Sequence, residues 1–216
     1  MGDMPLTSQL LKQTKTHIKN NFFIYLIIMF CYLIGLSVGA FTVKVVDPSH
    51  KQELFYYMRD FFNIFTNEGF LGFEIMKQSF INNFQLLTLS WLLGLFIITA
   101  PLVILVVIFK GFIIGFSTGI LIEEFSGAGL LVLMFSVIPQ NIIIIAIFFL
   151  GAQLSFAFAW NIVKSRSKST HNSSFGKKAV VYTVTYCVLI LVVTVAAFME
   201  GYVAPLFIRL IFRFLA

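Results

Sequence analysis

The sequence predicts an all-α fold, a polytopic integral membrane helical bundle with about five transmembrane helices, an outer amphipathic helix and an interrupted 111–141 segment. Three observations predict it. Of 216 residues, 59% are hydrophobic and only 11% charged, with a mean hydropathy of +0.97. The apolar residues gather in runs of membrane-spanning length, and the basic residues cluster at matching ends of those runs. A soluble domain keeps roughly a quarter of its residues as Asp, Glu, Lys and Arg to solvate its surface; 15 basic and 9 acidic side chains cannot do that here. This excludes a large soluble catalytic domain, and residues 1–216 read as a single membrane domain. The net charge of +6 points to topology rather than to nucleic acid, because Lys and Arg concentrate on the cytoplasmic side of membrane proteins.

Residues 1–21 form a cytoplasmic N-terminal segment carrying Lys12, Lys15 and Lys19. The first apolar run, Phe22 to Val43, is longer than the 7–15 residues or so of a signal-peptide core, so it reads as a helix leaving the cytoplasm. Residues 44–79 follow as the outer loop, the largest polar connection. A second crossing is expected from Phe84 to Phe109, kinked at Pro101, with Lys110 closing it on the inner side. The block from Gly111 to Ile122 is short, about 18 Å of helix against a core of about 30 Å. Either the helix continues past Glu123 and Glu124, or residues 123–141 make a half-helix or re-entrant hairpin on the outer side. Ile142 to Val163 crosses alone. The loop 164–178, with Lys164, Arg166, Lys168, Lys177 and Lys178 and no acid, is the strongest cytoplasmic signal. Ala179 to Met199 is the last crossing, and 200–216 form an outer C-terminal tail with Arg209 and Arg213 one turn apart, suited to an interfacial helix. Sorted this way the charges are +8 inside and −2 outside, which returns the formal +6.

Within the outer loop, Leu54, Met58, Phe61 and Phe65 share one helical face. An aromatic amphipathic helix of this kind lies at the membrane surface. It either caps the bundle or presents Phe55, Met58, Phe61 and Phe65 to an extracellular partner. Small residues four apart mark close helix packing: Gly35 and Gly39 in the first helix, Gly111, Gly115 and Gly119 in the third block, and Gly151, Ser155 and Ala159 in the fourth.

No catalytic constellation is legible, and the chain is not expected to be an enzyme. Cys31 and Cys187 sit inside apolar runs as small packing groups. His17, His50 and His171 lie in different loops without metal-site spacing. No metal and no cofactor is expected. Four polar features stand near membrane depth: Lys110, Glu123–Glu124, Pro139–Gln140–Asn141 and Glu200. For Lys110 and Glu200 the expectation is a helix end, where an ionisable group costs little. An alternative function, a membrane transporter or transporter subunit, would bind a cation or polar solute with Glu123 and Glu124 and the amides of Gln140 and Asn141 at a broken helix.

Taken in order, Lys110-Gly111-Phe112 with Gly115-Phe116, then Ile138-Pro139-Gln140-Asn141, then Glu200-Gly201-Tyr202 with Pro205, resemble the stage II sporulation protein M family over nearly the whole chain. The resemblance implies a multi-pass scaffold in the bacterial cell membrane, on the mother-cell side of the sporulation septum. It would assemble with the peptidoglycan-degrading stage II sporulation proteins D and P during engulfment without being a hydrolase itself. Partner contact would then fall to Phe55, Met58, Phe61 and Phe65, with Glu123, Glu124, Pro139, Gln140 and Asn141 shaping the nearby outer surface. The lipid bilayer is the other partner, no nucleic acid is expected, and self-association through a glycine ridge is open.

Overall fold

A computed structural model describes the backbone of residues 21–67, 72–96, 98–167 and 175–215, and the side chains of most of these. Every described element is helical: α1 (Phe22–Val45), α2 (Pro48–Asn67), α3 (Gly72–Leu95), α4 (Val103–Val132), α5 (Ile138–Ser167), α6 (Phe175–Phe198) and α7 (Ala204–Leu215). Among the described residues three helical stretches are long and apolar enough to cross a membrane: Phe22–Val45, Ala100–Trp160, which is broken at Ser126, and Gly176–Ile211.

The helices alternate in direction. Gly111 packs on Tyr32, Gly115 on Leu36 and Gly119 on Ala40, so both partners advance together and α1 runs parallel to α4. Ser79 meets Glu200 while Ser90 meets Tyr186, which makes α3 antiparallel to α6. Tyr186 reaches Gly151 while Tyr182 reaches Ser155, so α5 is also antiparallel to α6. The α1–α4 pair is close because glycines face backbone on both sides. A Cβ on Gly35 would meet the Ile108 carbonyl, one on Gly39 the Phe112 carbonyl, and one on Gly115 the Leu36 carbonyl. With hydrogen in those places the two backbones touch directly.

The chain reverses where local chemistry permits. The run from Phe84 to Phe109, expected to cross as one kinked helix, is instead the end of α3 and the start of α4, separated by a turn and a 3-10 segment, Ala100–Leu102. Pro101 has no N–H to give, which suits it to the opening of a helix rather than its interior. Thr99 Oγ1 donates to the Leu93 and Phe96 carbonyls at 2.7 and 3.2 Å, covering acceptors that the end of α3 leaves open. Consequently Lys110 is not at an inner helix end, and the outer loop is shorter than 44–79, since α3 begins at Gly72.

Past Glu123 and Glu124 the α4 helix continues, then folds back at Ser126 (φ 46°, ψ −115°). Gly129 thereby packs against Leu121 and Ile122, residues that a straight helix would hold about 10 Å away at 1.5 Å per residue. Two π-helical turns, Leu133–Val137 and Met199–Val203, precede Pro139 and Pro205. A proline withholds its N–H from the carbonyl four residues earlier and crowds it, and a widened turn accommodates that. Ser136 Oγ joins the two sites by donating to the Ala204 carbonyl at 3.2 Å.

At the end of the bundle where α1 finishes, α2, the Ser126 turn and α7 form a cap. Its core is Leu121, Val132, Ile208 and Ile211, with Met58 of α2 and Phe125 packed on it. The opposite half of the bundle is locked by buried hydroxyls. Ser155 Oγ lies 2.9 Å from Tyr182 Oη and 2.8 Å from Tyr186 Oη, and those phenols donate to the Trp91 and Gly151 carbonyls. Each group has a partner, so this network holds α3, α5 and α6 together without an orphaned donor.

Candidate functional site

Between the hydroxyl lock and the cap lies a cavity of about 780 Å³. Its floor is polar: Lys110, Asn83, Ser79, Gln140 and Glu200. Its walls are apolar, among them Leu86, Ile113, Ile114, Val137 and Ile144, and Leu54, Tyr57 and Met58 of α2 roof it. Asn82 and Gln85 of α3 and Phe109 and Ile113 of α4, all exposed, form a rim between those two helices.

A chain of hydrogen bonds crosses the floor. Lys110 Nζ donates to Asn83 Oδ1 at 2.6 Å. Asn83 Nδ2 donates to the Ser79 carbonyl at 2.9 Å, and Ser79 Oγ donates to Glu200 Oε2 at 2.5 Å. Lys110 is 7% exposed and Asn83 3%, and the Lys110 ammonium also lies 5.6 Å from the centre of the Phe148 ring. A buried ammonium is tolerated when it is hydrogen-bonded and a counter-charge stands near, and Glu200 supplies that charge from the same cavity. The helix-end position expected for Lys110 is therefore corrected, since it lies inside α4 and faces the interior; Glu200 does follow the end of α6, in the second π turn, and from there faces the cavity. α3 can reach them because Ser79 and Asn83, four residues apart, point from one helical face.

The acidic pair takes a different role. Glu123 pairs with Lys51 and Glu124 with Arg59, both of α2. These ion pairs tie α2 across the cap, and neither acid lines the cavity. Gln140 is 6% exposed and lines the floor, and among the described residues no hydrogen-bond partner faces its amide. Asn141 Nδ2 donates to the Val137 carbonyl at 2.8 Å beside the π turn. Pro139 is exposed, in the first turn of α5. The structure thus brings Gln140 and Asn141 together with Lys110 and Glu200, not with Glu123 and Glu124.

On α2, Phe55 is half-buried with Lys51 Nζ 5.9 Å from its ring centre, and Met58 is half-buried against the cap core. Tyr56 and Tyr57 are the exposed rings, at 69% and 62%. The side chains of Phe61 and Phe65 lie outside the described residues. Ser79, Asn83 and the rim amides Asn82 and Gln85 were not legible as site residues, since uncharged groups inside an apolar run carry little signal. The i, i+4 spacing of Ser79 and Asn83 was the available clue.

No curated protein and no solved structure matches the chain. The family model of stage II sporulation protein M matches residues 26–205, which include α2, both π turns and the whole polar floor. With that match running through almost every helix described, the chain belongs to the stage II sporulation protein M family.

Proposed function

We propose that this sporulation membrane protein is a scaffold, which localises and assembles peptidoglycan-remodelling proteins at the cell membrane during engulfment. The observation that carries the reading is the construction of the cap. α2 is held across one end of the bundle by the Lys51–Glu123 and Arg59–Glu124 pairs and leaves Tyr56 and Tyr57, the latter at the cavity roof, exposed. Exposed tyrosines on a fixed helix make good contact groups, because they offer large area with little entropy to lose. The charge asymmetry along the sequence supports the reading, because the positive-inside bias favours this end outside the cytoplasm, where cell-wall enzymes work. Transport through the broken helix has less support, because its two acids are engaged with α2 rather than with the cavity.

The test is co-purification from sporulating cells of stage II sporulation proteins D and P, the partners that the family resemblance implies. The wild-type chain should recover them, and replacing Tyr56, Tyr57, Phe61 and Phe65 by Ser should lower recovery about tenfold with membrane insertion unchanged. Recovery of neither partner by the wild type overturns the scaffold; undiminished recovery by the variant removes α2 from it.

A further inference from the structure

α3 carries Gln78, Asn82 and Gln85 at i, i+4 and i+7, all exposed on one face. The helix is stitched beside the apolar stretches through Asn83 to α4, Ser90 to α6, and the Trp91 carbonyl to Tyr182, so Gln85, between these contacts, stands at their depth. Gln78 Nε2 donates to Asn82 Oδ1 at 3.0 Å, which satisfies one pair of groups. Gln85 finds no partner among the described residues. Amides facing hydrocarbon without partners are costly, and lipid offers none.

Behind the stripe the cavity opens between α3 and α4, and at its floor is the unpartnered, 6% exposed Gln140. The opening is bounded by Asn82 and Gln85 on one helix and by Phe109 and Ile113 on the other, so it runs lengthwise beside them. We infer that this groove receives the transmembrane helix of a single-span partner, whose uncharged polar side chain, an amide or a hydroxyl, reaches between α3 and α4 to Gln85 and Gln140.

The charge balance sets the chemistry of the occupant. Lys110 and Glu200 already neutralise one another across Asn83 and Ser79, so an added charge would enter unpaired. A neutral donor–acceptor group matches the two free amides. A second copy of the chain fits poorly. A two-fold interface must be self-complementary, and two concave grooves face to face leave a void. The other broad exposed faces, Leu26, Phe30 and Leu33 of α1 or Val184, Val188 and Leu191 of α6, are apolar and bring no amide to the groove. The inference names a contact for the scaffold reading, but its test does not need the natural partner.

The full chain, with Cys31→Ala and Cys187→Ala and a single cysteine from Ile113→Cys, is reconstituted in phosphatidylcholine vesicles. It is mixed with a synthetic helix of about 20 leucines and alanines carrying one cysteine and one central Gln. Disulfide yield with this helix should exceed that of its all-apolar counterpart about fivefold, the scale of one or two interhelical hydrogen bonds in lipid. Gln85→Leu, a rim change outside the packed interior, should remove most of the difference. The inference is overturned by equal yields from the two helices, by equal yields at Val188→Cys on α6, by a preference for a central Glu, or by protein–protein disulfides dominating over peptide capture. Any of those outcomes leaves the co-purification test of the scaffold standing.

Discussion

Lys110 Nζ donates to Asn83 Oδ1 at 2.6 Å, so a lysine in the interior of the bundle is held by an uncharged amide, and its counter-charge at Glu200 is reached through Ser79. Removing the acceptor is therefore worse than removing both charges together. Asn83→Leu leaves a buried ammonium short of its bond, at a cost of about 1–3 kcal/mol, whereas Lys110→Met combined with Glu200→Gln takes both charges of the pair away and should cost less. Thermal unfolding in detergent micelles decides it: the midpoint should fall further for Asn83→Leu. A larger fall for the double variant would mean that the charged pair stabilises the bundle by some contact other than Asn83.

The glycines grade the tightness of the α1–α4 contact. Alanine at Gly35 or Gly115 pushes a methyl into a backbone carbonyl of the facing helix, and a carbonyl cannot rotate aside as a side chain can. Overpacking of this kind costs about 1–3 kcal/mol. Gly119→Ala meets first the Val43 side chain and should cost less, and Gly127→Ala, with nothing within 4 Å, should be neutral or stabilise by up to about 1 kcal/mol of helix propensity. Denaturation of the four variants in one detergent should reproduce that ranking, and equal losses at Gly115 and Gly127 would contradict the packing.

Much of this architecture was legible because it rests on local pattern. The apolar runs mark the long helices, Gly111, Gly115 and Gly119 mark a close contact, and the spacing of Leu54 and Met58 marks an amphipathic α2. What was hidden depends on distance. A charged residue after an apolar run looks like a helix end, and only Asn83, 27 positions earlier, makes Lys110 an interior residue. Pro101 can kink one helix or open another, and the sequence around it allows both; the choice is made by Thr99 closing off the end of α3. The reversal at Ser126 has no local signature, since glycines stand at 127 and 129 while the serine takes the unusual dihedrals.

That serine supports a third prediction. Ser126 is the one described non-glycine residue with positive φ, and its Cβ is strained there in a way that glycine would not be. Ser126→Gly should raise stability by roughly 1 kcal/mol, and Ser126→Val, branched at Cβ, should lower it by more than that. Equilibrium unfolding of the two variants checks the sign. If Gly destabilises, then hydrogen bonding by the serine rather than backbone freedom holds the turn.

The ion pairs of the cap predict a rescue. Lys51→Glu places two carboxylates together at Glu123, and the repulsion should loosen α2 from the Ser126 turn; Lys51→Glu combined with Glu123→Lys restores opposite charges. Exposed ion pairs contribute at most about 1 kcal/mol each, so the helix should shift its equilibrium rather than unfold the bundle. A cysteine from Met58→Cys, in the Cys31→Ala and Cys187→Ala background, reports the change, since Met58 packs on the cap core while α2 is docked. Its labelling by a water-soluble maleimide should rise about threefold in Lys51→Glu and return in the double swap, with the contrast shrinking as salt screens the pair. Equal labelling in all three proteins would show that α2 stays docked without the Lys51–Glu123 pair, leaving Glu123 without a role in the cap.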